Sequence, residues 1–364
     1  MPDAPNPSAR DDRPGPLRVT LGELGRWQRV EVDVVQMLAA GLAIAVPFAA
    51  GVATDRLADG VVATVGALLV SSSGQVGPAR TRFAELAASV PVSTVGAGLG
   101  ALLGDLSPLG ALAFVAGATA ATVFGAIRPS LTKAAVQLQV ATIIGVTVVQ
   151  TDLTPLRVAG LFAVGALGGA ALTMLAYALT RLIARSPLPQ APARRSWRAD
   201  LTAWWTGLHS LAAWHYPLRL ASCLAVAMAC VLALPSGHST WILLTVIIVV
   251  QRDHRAAVVR TLQRGVGTAL GIVVGALMLA LLSGWAMVAL VGVIGAIRGH
   301  LKVANYTAYT LAMTPLVVVI LGLSHHGDNG SLMAERVTDT GIGCLISLLI
   351  GHALWSRIHW PPPA

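Results

Sequence analysis

Charge is what this chain has least of. Asp, Glu, Lys and Arg make up 11% of its 364 residues, hydrophobic residues make up 55%, and mean hydropathy is +0.73. A soluble chain of this length needs far more charge to cover its surface, so a soluble globular domain is excluded. Aromatics amount to only 5%, leaving Ala, Leu, Val, Gly and Ile as the apolar bulk. Small side chains at that density suit helices packed closely in lipid. Cysteine is nearly absent: Cys223, Cys230 and Cys344 all sit in apolar segments. None has a metal-ligand spacing, so they read as small buried hydrophobes, and no metal or cofactor is expected. The opening MPDAPNPSARDDRPGP lacks the apolar stretch of a signal peptide and reads as a disordered tail over residues 1–16. The net charge of +9 invites a nucleic-acid reading. The basic residues, however, lie in short loops between apolar runs and not on one face of a domain, which excludes nucleic acid as a partner and leaves the lipid bilayer.

A spanning helix needs about 20 mostly apolar residues. Candidates lie at roughly 34–53, 60–76, 83–104, 108–127, 133–151 and 156–182, then at 216–234, 238–251, 257–282, 284–298, 302–323 and 336–357. The expected fold is therefore an all-α membrane protein of about 12 transmembrane helices. With the N-terminus inside, 22 of the 25 basic residues fall on the cytoplasmic side, leaving only Arg56, Arg157 and Arg336 outside. The positive-inside rule then places both termini in the cytoplasm. The expected division is a first six-helix module over 17–185, a linker over 186–215, a second six-helix module over 216–358 and a tail over 359–364. In the linker, Trp197, Leu201, Trp204, Trp205, Leu208, Leu211 and Trp214 recur at helical spacing. They predict an amphipathic helix, either lying on the inner membrane surface or packed on the protein's own cytoplasmic face.

The halves look like repeats. Lys133-Ala-Ala-Val-Gln-Leu-Gln resembles Lys302-Val-Ala-Asn-Tyr-Thr-Ala, each opening the fifth helix of its half. Gly100–Gly104 matches Gly271–Gly275 in the third helices, and Arg157 opens the sixth helix as Arg336 opens the twelfth. Even span numbers give the two repeats the same orientation, related by an axis along the membrane normal. The alternative is chance resemblance between Ala/Gly-rich helices.

Charges inside apolar runs are costly and need a reason. Arg260 and Arg264 lie four apart on one helix face, where planar guanidiniums suit a carboxylate; snorkelling, or pairing with Asp253 or Glu85, is the alternative. Arg336 and Asp339 lie three apart, a coupling site for protons or a structural ion pair. Asn305, Tyr306 and Tyr309 form a polar and aromatic stripe, matched by Gln137 and Gln139 in the first half; it faces a cavity or serves as interhelical glue. Pro315 is expected to break the eleventh helix. The second helix of each half is short and polar-tipped, a pointer to a site at the repeat interface. Gly-x-x-x-Gly at Gly96–Gly100 and Gly267–Gly271 signals close packing. His325 and His326 read as solvated.

Over Pro217–Gly275 the sequence resembles the fusaric acid resistance protein-like (FUSC) family of the aromatic acid exporter superfamily. The resemblance rests on Arg219, Trp241 with Thr245, Gln251-Arg252, and Arg260-x-x-x-Arg264-x-x-Gly267-Thr268-x-x-Gly271, with Arg336-x-x-Asp339-Thr340 in the last helix. It implies six-helix membrane modules and efflux of aromatic or other small carboxylic acids driven by the proton gradient. Gram-negative members often carry a large cytoplasmic domain and work with a periplasmic adaptor, and a linker of only thirty residues argues against both here. Nearly all basic residues are Arg, with Lys only at Lys133 and Lys302, which together with the high Ala content suggests a high-GC bacterium and its inner membrane.

The expectation is thus an exporter of a small organic anion, with Arg260 and Arg264 attracting carboxylate, Trp241, Thr245, Asn305, Tyr306 and Tyr309 contacting cargo, and Asp339 exchanging protons. The alternatives are a passive anion channel, a non-transporting subunit, or a membrane-embedded enzyme. An enzyme would need paired carboxylates or a metal cluster, and no such convergent set appears. Whether two modules suffice as a monomer or leave a face for a homo-oligomer stays open.

Overall fold

The computed structural model describes residues 22–73, 78–104, 107–149, 153–184, 196–234, 240–322 and 329–355. Apart from residues 25–33 and short connections these are helical, with no strand among the described residues. The first half supplies α1 (Val34–Ala53), α2 (Leu57–Val70), α3 (Ala79–Leu103), α4 (Pro108–Gly125), α5 (Pro129–Val149) and α6 (Pro155–Ala184). After α7 (Trp197–Leu208) come α8 (Leu211–Ala233), α9 (Thr240–Val249), α10 (His254–Leu281), α11 (Gly284–Ala304), α12 (Tyr306–Gly322) and α13 (Asn329–Leu348), which runs into a π-helical turn at Leu349–Leu354. Local chemistry sets several starts. Asp33 Oδ1 accepts from Gln36 N–H at 3.0 Å to cap α1, and Ser107 caps α4 just ahead of Pro108 at the first helical position.

Among the described residues, nine helices are long and apolar enough to cross a membrane, while α2, α9 and α12 are shorter. The outward faces are apolar: on α6, Leu156, Val164 and Leu167 are 84%, 67% and 58% exposed. Such a surface needs lipid as its solvent, and the chain is a multi-pass membrane protein. One continuous hydrophobic core joins the halves, from Ile44 and Phe48 through Phe162 to Trp241, Met287 and Leu316.

Helix pairing follows an order. In the first half α3 runs along α5 and α6, and α2 along α6; in the second, α10 runs along α12 and α13, and α9 along α13. Between the halves, α11 lies against α1, α4 against α8, and α5 against α9. Missing side chains allow these approaches. A Cβ added at Gly100 would sit 1.9 Å from the Thr142 carbonyl oxygen, one at Gly165 would sit 1.8 Å from that of Ala63, and one at Gly271 would sit 2.7 Å from that of Leu311. Only glycine fits where two backbones touch.

Several expectations change. The helix of Arg336 starts at Asn329, so Arg336 lies two turns inside it and does not open it. The chain stays helical to Ala304, which places Arg298 and Lys302 in the last turns of α11, not in a loop. Asn305 is the break between α11 and α12, not part of the stripe on α12. Pro315 is accommodated inside α12 without ending it. Helix α7 packs on the protein itself, at the end of α4: Asp200 pairs with Arg128, Trp204 Nε1 donates to the Val123 carbonyl at 2.9 Å, and its ring stacks on Phe124. The N-terminal tail, residues 186–195 of the linker, Gln75, the Asp152 loop, His325, His326 and the C-terminal tail lie outside the described residues.

The glycine contacts carry a test. Gly165→Ala forces the α2 and α6 backbones apart and is expected to cost about 1–3 kcal/mol, read as a lower thermal midpoint of the detergent-purified protein. Gly168→Ala, on the same helix with nothing within 4 Å of the new Cβ, should leave the midpoint nearly unchanged.

Candidate functional site

The second half concentrates buried polarity where three helices meet. Helix α9 (TWILLTVIIV) is ten residues long, about 15 Å at 1.5 Å per residue, half the apolar thickness of a bilayer. All of it except Ile248 is buried, so Trp241 and Thr245 face other helices and not lipid. Helix α13 lies along it, with Gly343 opposite the Thr245 side chain. That register brings Arg336 onto the Trp241 ring, its guanidinium carbon 3.7 Å from the centroid, a close cation–π contact. From the other side α10 contributes Thr261, Arg264 and Thr268, all buried. Cys344 Sγ contacts the Thr261 carbonyl at 3.6 Å, and Arg264 lies within electrostatic range of both Arg336 and Cys344.

This deep cluster is charged but unanswered. Arg264, Arg336 and Asp339 are 7%, 6% and 2% exposed. Arg336 and Asp339 feel each other's charge, yet no ion pair forms between them, and among the described residues no carboxylate lies within ion-pair distance of Arg264. The Nε atoms of Arg264 and Arg336, Asp339 Oδ2, Thr245 Oγ1 and Thr340 Oγ1 are all buried without a hydrogen-bond partner. Folded proteins satisfy most buried polar atoms, so orphans on three neighbouring helices ask for a missing partner such as water, an ion or a ligand. Two like charges in a low-dielectric interior favour an anion there.

The other expected site residues lie towards the ends of α10 and α12 nearest the N-terminal segment. The Arg260 guanidinium covers the Tyr306 ring at 3.7 Å, and Tyr306 stacks on Tyr309 with centroids 5.4 Å apart. Asn305 is engaged structurally. Its Oδ1 accepts from Ala308 N–H, and its Nδ2 donates to the Leu24 and Arg26 carbonyls at 3.2 and 3.1 Å. Those contacts strap the N-terminal segment across the α11–α12 break, joined by Gln28 N–H to the Ala304 carbonyl. Neither Asp253 nor Glu85 pairs with Arg260 or Arg264; Glu85 binds Lys133 at 3.0 Å. In the first half, Gln137 Nε2 reaches Ser89 Oγ and Ser93 Oγ at 2.5 and 2.6 Å. The same α3–α5 crossing is therefore neutral where α10–α12 is cationic. Arg219, fully buried, donates to the Arg252 carbonyl and lies near the Tyr216 ring, which clamps the α9–α10 turn to α8.

Sequence reading missed Thr340 as an orphan donor and Arg298 as a buried group. The apolar Ile294 and Leu301 one turn to either side of Arg298 were the available signal that the helix continues. Two cavities lie away from the deep cluster. One of about 290 Å³ sits beneath α7, lined by Val123, Asp200 and Trp204; one of about 390 Å³ lies between α1, α2 and α6, lined by Pro47, Gly60 and Leu161.

Residues 220–350 match the profile of the fusaric acid resistance protein-like family. This stretch contains Trp241, Arg264, Arg336 and Asp339, and the match bears out the family read from those residues. The match points to a membrane transport or resistance role. No curated protein and no solved structure matches the chain.

A structural ion and a ligand-binding ion respond differently to removal. If Arg264 held the helices together, its loss would cost about 3–5 kcal/mol. Arg264→Met instead takes one of two neighbouring like charges out of the interior and should leave the thermal midpoint unchanged or raised, measured on purified protein without added anions.

Proposed function

We propose that this protein exports small amphipathic or aromatic carboxylic acids across a bacterial inner membrane, coupled to the proton gradient. The observation that carries the reading is the pair of buried guanidiniums, Arg264 and Arg336, with no carboxylate among the described residues in ion-pair range of Arg264 and their Nε donors unused. A cargo carboxylate supplies the missing charge and accepts those donors, because the guanidinium fork matches a carboxylate's two oxygens. The Trp241 face beside Arg336 and the Thr245 hydroxyl give an aromatic cargo an apolar wall and one polar anchor. Asp339, a buried acid next to Arg336 with an unpartnered oxygen, is the proton site: it takes up a proton on the cargo-free return step and releases it inside, so that protons enter as cargo leaves. Arg260, Tyr306 and Tyr309 form the inner approach to this site.

The proposed frame is twelve spans in two like-oriented repeats, with both termini cytoplasmic. Four features support it: the recurring helix pairings, the paired short second helices α2 and α9, the matched α3–α5 and α10–α12 crossings, and the bias of basic residues to one side. The deep cluster is closed in this conformation, as alternating access requires of one state in its cycle.

Flux in proteoliposomes with an imposed pH gradient tests the reading. Wild type should move aromatic carboxylates, and Arg336→Gln should weaken apparent cargo affinity by about ten- to a hundredfold, the worth of one charge-assisted contact. Undiminished flux in Arg336→Gln overturns the site. Asp339→Asn should abolish stimulation by the pH gradient while leaving cargo binding intact. Flux that survives an uncoupler in the wild type would mean a passive anion channel instead.

A further inference from the structure

A second set of cations, apart from the deep cluster, meets at the junction of the two halves. Arg298, near the end of α11, is 3% exposed and reaches across to the end of α2. Its Nη1 donates to Ser72 Oγ at 2.6 Å and its Nη2 to Ser71 Oγ at 2.5 Å. Both hydroxyls donate onward, to the Leu68 and Ala67 carbonyls, so each turns a lone pair to the guanidinium. Arg298 Nε has no partner. Lys302, one turn further on and exposed, lies within electrostatic range of Arg298, Arg260 and Lys133. Tyr309, within range of Arg298, stacks on the Tyr306 ring that carries Arg260.

The charges do not balance. Lys133 has Glu85 at 3.0 Å, but among the described residues no carboxylate comes within ion-pair distance of Arg260, Arg298 or Lys302. The serine hydroxyls satisfy hydrogen bonds without supplying charge. The C-terminal dipoles of α2 and α11 offset about half an elementary charge each, and the N-terminus of α12 restores about half of one. Roughly two positive charges or more remain, partly buried, around one point. A monocarboxylate supplies one negative charge, whereas a phosphate group supplies about −1.5 to −2 with three strong acceptor oxygens.

We propose that this junction, formed by Arg298, Lys302 and Arg260, binds a phosphate-class oxyanion, which is held there and not exported. Bound between α2 of the first half and α10 and α11 of the second, such an anion bridges the two halves. The oxyanion comes from solution as free phosphate or from the membrane as a phosphomonoester headgroup. The proposal does not rest on the export reading, and its test involves no transport.

The full-length protein in non-ionic detergent is titrated with inorganic phosphate against chloride at constant ionic strength, and its thermal midpoint is followed. In a second arm the protein is placed in phosphatidylcholine nanodiscs with and without phosphatidic acid. At least one arm should raise the midpoint. Lys302→Gln and Arg298→Gln should each weaken that response by about tenfold in apparent affinity, while Arg157→Gln, which removes an arginine elsewhere, leaves it unchanged. A response to phosphate assigns the soluble source, and a response to phosphatidic acid alone assigns the headgroup. Should Arg298→Gln fail to fold, Lys302→Gln decides, since its side chain is exposed. No response in either arm, or an equal response in Lys302→Gln, overturns the proposal.

Discussion

A guanidinium enclosed by helices in a bilayer has lost its water and must find negative charge elsewhere. Most of the architecture described here becomes intelligible from that constraint. Arg219 meets it with a backbone carbonyl and a tyrosine face, and Arg128 meets it with Asp200. Arg264 and Arg298 meet it only in part, and Arg336 lies on Trp241 without an ion pair to Asp339, three residues away. The same fold answers a buried arginine in some places and leaves others open, and in the proposed reading the open positions receive an anion from outside.

The helices that hold these arginines owe their positions to small residues. Backbone contact at Gly100, Gly165 and Gly271 lets α3, α6 and α10 lie close to their partners, and closely packed helices of unequal length leave all of α9 but Ile248 buried. Because α9 is too short to cross by itself, Trp241 stands inside the bundle, where its ring can carry the Arg336 charge. The first half has the same crossings but fills them with Gln137, Ser89 and Ser93. Neutral groups complete one bundle, and charges leave the other incomplete.

Much of this was legible in the sequence, for identifiable reasons. Helix positions followed from runs of about 20 apolar residues, and each predicted span overlaps a helix, though residues 302–304 belong to α11 and not to α12. The family could be read because Arg260, Arg264, Trp241, Arg336 and Asp339 are rare residue types in such runs. What stayed hidden depended on where a helix ends. Arg298 and Lys302 looked like loop cations because two basic residues four apart after an apolar run resemble a membrane boundary, and only the fold shows that α11 continues through them. Asn305 looked like part of a cavity-facing stripe, but as the break between α11 and α12 it holds the N-terminal strap. Periodicity could not decide where α7 lies, since its Trp stripe suits lipid and protein equally. The Arg128–Asp200 contact that does decide it is long-range and invisible to periodicity.

The central claim is that the Arg264–Arg336 cluster opens to water and receives an anion. Water access at Thr245, which is 1% exposed beside the cluster, tests this most directly. With Cys223, Cys230 and Cys344 replaced by alanine, Thr245→Cys is treated in proteoliposomes with a small anionic methanethiosulfonate reagent. The account predicts modification once a pH gradient drives turnover, and protection by aromatic carboxylates. A cysteine that stays unreactive under every gradient, yet reacts fully once the protein is unfolded, would contradict it.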